Sequence, residues 1–458
     1  MRFEMLAKNP DTNQEMRLLY DNETNTLTRE DGLIYEYPED QRTPASDVEP
    51  FHGVMRKSRS ITTLKIQLGL SCNYECEYCS QRFVGRPPPT NQNDIDEFME
   101  KLDGLEFDEQ TGLKIEFWGG EPLVYFKTLR PLVAALKKKF EHWDRRPVMS
   151  MITNGSLLTT EINTWLINNC FMVAISHDGP GQHVRGPDPF DDVPTKWAIL
   201  DLYHALRPLC RISFNAMLNS VGASRKEIYD WFVAMTGDPD VILGEGGLID
   251  AYDEGGYGTS LLTKAQQFKF RQTAFNDIYS SNGRVGFYGI LEKIDGFTRR
   301  LLTHSPATSV GQKCGMDDPH RIAVDLKGNV ITCQNVSVVE IAMNGESHLG
   351  GNIAKIEEVE LKSATHWRDR DHCAGCPVLH ICGGSCMFLS GKYWDVSCAN
   401  AYSDAIVLFS LSIAAITGGF VPVYITAPGL PDHRKDIWGT ILKHEDTPPR
   451  RIIPIKAN

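Results

Sequence analysis

Ten of the twelve cysteines in this 458-residue chain fall in two clusters. Three stand at Cys72, Cys76 and Cys79, and seven lie between Cys314 and Cys398. The opening residues "MRFEMLAKNPDTNQ" lack the apolar core of a signal peptide, so a cytoplasmic location is expected. Thiols stay reduced there, so disulfides are a poor explanation for so many cysteines and metal is the better one. Cys170 and Cys210 stand alone and are expected to be buried as small hydrophobes. Thiolates suit zinc or iron–sulfur clusters. A structural zinc wants a fourth ligand close by, but the chain after Cys79 continues "SQRFVGRPPPT". A 4Fe–4S cluster held by three thiolates instead leaves one iron open to a small molecule.

The formal net charge of −12 excludes a general nucleic-acid binder or a basic membrane-surface protein, since polyanions repel it. The most apolar run, "AIVLFSLSIAAITGGF" at 405–420, is shorter than the ~20 residues that span a bilayer and reads as a buried helix. Residues 1–60 carry strand-like runs flanking Asn- and Asp-rich turns, a small β-hairpin unit, and end in the Pro-broken connector "PASDVEPFHG". In a domain expected to span 61–303, strand and helix patterns alternate from about 61 to 245, with strands at 63–70, 113–120, 147–153, 171–176, 211–218 and 240–246. Alternation of this kind means parallel strands joined by crossovers, and six units make a partial (β/α)6 TIM-like barrel. The fold class is α/β, and the functional loops follow the C-terminal ends of the strands. Residues 262–303 read as helical. Residues 304–400 are Gly- and Cys-rich, as where metal replaces an apolar core, and 401–458 form a C-terminal helix and tail.

Cys72-x3-Cys76-x2-Cys79, with Tyr78 before the last cysteine, resembles the signature of radical S-adenosylmethionine enzymes. Gly119, Gly120, Glu121 and Pro122 are similar to the family segment that receives the methionine amino group. "TNG" (Thr153–Gly155, with Asn154) and "SHDGP" (with Ser176 and Asp178) end the third and fourth strands, where relatives contact the ribose and carboxylate of the nucleoside. Arg185 is a further candidate to meet a carboxylate. The resemblance covers roughly residues 61–400. It implies that S-adenosylmethionine is split reductively at the open iron and that the resulting 5′-deoxyadenosyl radical takes a hydrogen atom from the substrate. Glu121 would accept a hydrogen bond from the bound ammonium.

The second cluster reads C-x13-G-x4-C, then C-x2-C-x5-C-x3-C-x11-C after a long gap. It is similar to the SPASM extension of the same family, which carries two auxiliary iron–sulfur clusters. Carried over, Cys314, Cys333 and Cys386 would hold the first, and Cys373, Cys376, Cys382 and Cys398 the second. With the first triad this makes three 4Fe–4S clusters. The first auxiliary site is one cysteine short, and Asp317, Asp318, His320 or the substrate are its alternatives.

Relatives with this extension act mostly on ribosomally made peptides and proteins, drawing electrons from a donor such as flavodoxin or ferredoxin. The resemblance therefore implies a peptide or protein substrate and an oxidised product, most simply a C–C or thioether cross-link. Sulfatase-maturing relatives place an acid directly after the second cysteine of the extension, where this chain has Gln334, and an amide cannot take a proton in that way. Asp317 and Asp250 are the candidate bases, the latter in the Gly-rich loop 244–258 with Asp253 and Glu254. Formylglycine formation, a small-molecule dehydrogenase and a zinc-stabilised interaction protein remain the alternatives.

Overall fold

The computed structural model describes residues 1–39, 54–281 and 287–439. The expected connector at 44–53 and the tail beyond 439 lie outside them. At the start of the chain, β1 (Arg2–Lys8), β2 (Glu15–Asp21), β3 (Thr26–Arg29) and β4 (Ile34–Tyr35) form an antiparallel meander. Alternate residues along it, among them Phe3, Met5, Leu18 and Tyr20, share one buried face. The short β5 (Met55–Arg56) leads into the main sheet.

Six parallel strands follow in sequential order: β6 (Thr63–Gln67), β7 (Lys114–Trp118), β8 (Val148–Thr153), β9 (Met172–Ser176), β10 (Ile212–Leu218) and β11 (Leu243–Leu248). Five are separated from the next by helices, such as Phe126–Lys139, Thr160–Asn168, Val193–Leu206 and Arg225–Thr236. This is the partial α/β barrel expected from the alternating pattern. Period-2 geometry sorts its side chains. On β10, Phe214 and Ala216 are fully buried, while Asn215 and Met217 face a cavity inside the barrel. On β6 and β7, Leu64, Ile66, Ile115 and Phe117 are likewise fully buried, and Lys65, Glu116 and Trp118 line the cavity.

The sheet does not stop where the sequence divides at 303/304. β12 (Arg321–Asp325) pairs parallel with the free edge of β6, and β13 (Asn329–Ile331) and β14 (Leu349–Asn352) extend it antiparallel. β15 (Glu360–Leu361) pairs with β5. Nor does the chain divide at 400/401, because one helix, Gly391–Thr417, runs through that point. β16 (Val421–Thr426) then returns to pair with β1, so the N-terminal unit is a five-stranded sheet rather than a hairpin unit complete by residue 60. Unpaired strand edges explain both departures: β6 and β1 each need a partner, and later segments supply it.

The Gly391–Thr417 helix is long and apolar enough by length and composition to cross a membrane, but 72% of its apolar window is buried inside the protein. It packs against the helices Lys264–Ser280 and Tyr288–Leu302. Cys170 and Cys210 correct the expectation of burial, for both are exposed. Each sits in a left-handed turn (φ 58° and 52°) between a helix and the next strand, on the rim of the sheet and not in its core.

One buried charge locks the long helix to the barrel. Arg225 Nη2 donates to Gly246 O at 2.5 Å and to Asp404 Oδ1 at 2.7 Å. Asp404→Ala leaves the guanidinium buried without its counter-charge and is expected to cost about 3–5 kcal/mol. An anaerobic denaturation midpoint indistinguishable from the parent's would contradict this.

Candidate functional site

The loop after β6 carries Cys72, Cys76 and Cys79, and it is stitched to the ends of three other strands. Against the β7 end, Gly120 N donates to Gly69 O and Glu121 N to Ser71 O, both at 3.0 Å. A Cβ on Gly120 would stand 2.4 Å from Ser71 O, and one on Gly119 would stand 2.5 Å from Gly69 O. Only glycine permits this approach. Against the β8 end, Asn154 Nδ2 donates to Asn73 Oδ1 at 2.9 Å, and Asn73 Nδ2 donates to Ser156 Oγ at 2.8 Å. Against the β9 end, Glu77 N donates to Val184 O at 3.0 Å, and the Tyr78 hydroxyl donates to Asp178.

Asp178 is the hub of this last contact. Its Oδ1 accepts from Arg185 Nη2 and from Met217 N, both at 2.9 Å, while Oδ2 takes Tyr78. The Arg185 guanidinium lies 5.6 Å over the Tyr78 ring. Glu121 is similarly committed. Its carboxylate accepts from Leu123 N at 3.0 Å, Thr153 Oγ1 at 2.7 Å and Asn154 N at 2.7 Å. Burial raises its pKa, and these donors oppose the rise. The carboxylate thus ties the β7 and β8 loops together at the edge of the site.

The barrel opening forms a cavity of about 850 Å³. Cys72, Cys76 and Cys79 line it, and so do Cys314, Cys333 and Cys386 from the C-terminal region. The thiols fall into three groups by electrostatic proximity. Cys76 feels Cys79 and Cys72; Cys386 feels Cys333 and Cys314; Cys373 feels Cys382, Cys398 and Cys376. Burial pushes the Cys76, Cys333, Cys373 and Cys382 thiols up to about 12, so their thiolates need a nearby positive charge such as a metal centre brings. A single zinc ion draws its thiolates to about 2.3 Å of one point. Among the described residues no three His, Cys, Asp or Glu side chains converge in that way. An iron–sulfur cubane places each thiolate on a different iron, and grouped but separated thiols fit it.

Of the residues singled out from the sequence, Tyr78, Gly119, Gly120, Glu121, Pro122, Asn154, Ser176, Arg185 and Asp250 line the cavity. Asp178 does not; it sits behind Tyr78 at 2% exposure. Asp317 is also outside, its Oδ2 accepting from Gln312 N at 2.8 Å and lying 3.4 Å from His366 Nε2. Asp318 Oδ1 accepts from His320 N, and His320 Nδ1 lies 2.8 Å from Ser60 O, so neither reaches the cavity. Asp250 Oδ1 accepts from Ser385 Oγ at 3.0 Å, and its Oδ2 pairs with Lys313 Nζ at 3.1 Å.

The sequence reading missed Lys65, Glu116 and Trp118. Lys65 Nζ is 3.2 Å from Glu116 Oε2 and 5.2 Å from the Trp118 ring centroid. Lys65 and Lys114 overcome the effect of burial and hold the Glu116 carboxyl at about 2. The signal was present: charged residues inside the strand runs "LKIQLGL" and "LKIEFWGG" have no place in an apolar core.

No family model matches the chain. Among curated proteins it is similar to the radical SAM cyclopropyl synthase TigE of Paramaledivibacter caminithermalis, 26% identical over 190 residues, which span 38% of this chain and 37% of that one. It is also similar to the cysteine-type anaerobic sulfatase-maturating enzyme of Clostridium perfringens, 24% identical over 347 residues, 69% of this chain and 85% of that one. Among solved structures, native anSMEcpe with bound AdoMet and Cp18Cys peptide gives a TM-score of 0.55 at 19% identity, over 78% of this chain and 99% of that one. These relatives and neighbours are radical S-adenosylmethionine enzymes, and the fold they share is the one described above.

The seam at Gly120 supplies a direct test. Gly120→Ala must push the cysteine loop outward, and a misplacement of ~1 Å at a reacting centre costs about 100-fold. Release of 5′-deoxyadenosine from S-adenosylmethionine should fall by that order, with the far-ultraviolet spectrum unchanged; parental rates would show that the seam has slack.

Proposed function

We propose that this chain, a radical S-adenosylmethionine enzyme of the SPASM-bearing group, oxidatively cross-links a ribosomally made peptide or protein through a C–C or thioether bond. One observation carries the reading: thiols of the N-terminal triad and thiols of the C-terminal region line the same cavity. A substrate seated there meets a place where a hydrogen atom can be removed and a place where an electron can be taken up.

Cys72, Cys76 and Cys79 would hold the cluster that binds S-adenosylmethionine. Cys314, Cys333 and Cys386, and then Cys373, Cys376, Cys382 and Cys398, would hold two more. When bound, these groups supply reductive cleavage of the sulfonium and an acceptor for one electron. The chain's own residues do the rest. The Gly119–Gly120 backbone, Glu121 and Asn154 shape the wall beside the triad, and Arg185 offers a cation to a carboxylate. Tyr78, Asp178 and Arg185 hold the triad's loop against the barrel, which keeps a reactive species away from the protein's own side chains.

Net oxidation also releases a proton. Among the described residues four carboxylates line the cavity: Glu75, which is exposed on the triad's own loop, Glu116, Glu121 and Asp250. Glu116 is paired with Lys65 and Lys114, and Glu121 is held by three donors that tie the β7 and β8 loops together. Asp250 also has partners, Lys313 Nζ at 3.1 Å and Ser385 Oγ at 3.0 Å, but of the four it is the one beside Cys386 of the first auxiliary group. It is the proposed base, in place of Asp317. Gln334 lines the cavity with no proton-accepting group, which favours cross-linking over formylglycine formation. The peptides and sulfatases named for the relatives support a polypeptide substrate; a cytoplasmic location and a flavodoxin- or ferredoxin-type donor belong to the same proposal.

Anaerobic reconstitution should load on the order of 12 irons per chain if all three sites hold 4Fe–4S clusters. Incubating a precursor peptide encoded beside this gene with the enzyme, reductant and S-adenosylmethionine should remove two hydrogens by mass. Cys76→Ala should abolish this. Asp250→Asn should lower product formation by about 100-fold or more while 5′-deoxyadenosine still forms. Turnover of a small alcohol with an unchanged peptide mass would replace this reading with a dehydrogenase.

A further inference from the structure

The second auxiliary thiol group, Cys373, Cys376, Cys382 and Cys398, is absent from the cavity lining, yet a cation from a distant segment rests on it. Arg434 Nη2 lies 3.4 Å from Cys398 Sγ, and its Nη1 lies 3.9 Å from Cys376 Sγ. The guanidinium is stacked 4.4 Å over the Tyr402 ring, and the Tyr402 hydroxyl donates back to Arg434 O at 3.2 Å. The segment bearing it is anchored just after the arginine. Ile437 O accepts from the buried Arg271 Nη1 at 3.0 Å, and Trp438 Nε1 donates to Pro422 O at 2.8 Å. A second guanidinium, Arg370, lies 3.5 Å over Trp394 and donates to Cys386 O at 3.2 Å and Leu389 O at 3.0 Å, between the two auxiliary groups.

We propose that Arg434 raises the reduction potential of the second auxiliary site, making it the resting place of the electron withdrawn from the substrate. The inference rests on the cluster assignment of the preceding subsection. Reduction adds a negative charge to a thiolate-ligated centre. N–H···S bonds from a cation stabilise that added charge and make the centre easier to reduce. A guanidinium keeps its charge at any working pH and can reach two sulfurs with one planar fork. Among the described residues no guanidinium hydrogen-bonds a sulfur of the first auxiliary group: Arg370 donates to the Cys386 carbonyl, Lys65 is paired with Glu116 at 3.2 Å, and Lys57 donates to the carbonyls of Met316 and Asp318. One electron leaves the substrate radical and one enters the oxidised second site, while the proton goes to Asp250. A one-electron carrier protein of the flavodoxin or ferredoxin class then removes the electron. Arg434 touches neither substrate nor reacting atoms; it acts through Cys376 and Cys398.

The test uses the full chain with Cys72→Ala, Cys76→Ala and Cys79→Ala, so that only auxiliary signals remain, in a redox titration followed by electron paramagnetic resonance. Arg434→Gln should move one of two midpoints to lower potential and leave the other in place. Arg434→Lys, which keeps the charge but loses the fork, should move the same midpoint by less. Two unchanged midpoints, or an equal fall of both, overturn the proposal. If Arg434→Gln sheds iron, Arg434→Lys decides alone: a lowered midpoint supports the proposal and an unchanged one overturns it. A background chain that loads no iron overturns the cluster assignment itself and this inference with it.

Discussion

The site depends on a seam of backbone. Two amide-to-carbonyl hydrogen bonds join Gly120 and Glu121 to Gly69 and Ser71, across a gap too narrow for any Cβ. A loop bearing three cysteines, one exposed and two half-buried, has little apolar content to fix it, so its position is borrowed from strand ends that are already rigid. β7 fixes it through the seam, β8 through Asn154 and Asn73, and β9 through Tyr78 and Asp178. Because the parallel strands present their C-terminal ends on one rim, successive loops can all reach the same segment. The architecture and the chemistry are linked at this point: a looser barrel end would leave the thiols without a common address.

Much of this was legible in the residues. Five of the six barrel strands fall within runs marked by their apolar pattern, and β11 runs two residues past its marked end at 246, because strands covered by helices on one face read as largely apolar runs. The cysteine spacings were legible because thiol ligands are few and their order in the chain is rigidly tied to the loop they occupy. The glycine pair after β7 was visible too, although only the structure explains it by the carbonyls opposite.

What was not legible came from contacts between segments far apart. Nothing in "YITAPG" announces that β16 pairs with β1, more than four hundred residues earlier in the chain. Asp178 read as a nucleoside contact and proved to be the support behind Tyr78, since sequence gives a residue's neighbours along the chain and not the direction of its carboxylate. Asp317 read as a base, but Gln312 and His366 turn it away from the cavity. Cys170 and Cys210 read as core residues, because a small hydrophobe in a turn looks the same in sequence as one in a strand. Lys65 and Glu116 were passed over as exceptions in apolar strands, when a charge in such a place marks the polar interior of the barrel.

The pairing of β16 with β1 has a consequence for biosynthesis. Until residues 421–426 leave the ribosome, the outer edge of β1 has no partner and the first-made sheet stays unfinished. Arg434, a few residues further on, reaches Cys398 later still. The N-terminal sheet therefore cannot close until the barrel that lies between β1 and β16 in the chain has been made, which ties completion of the one to synthesis of the other.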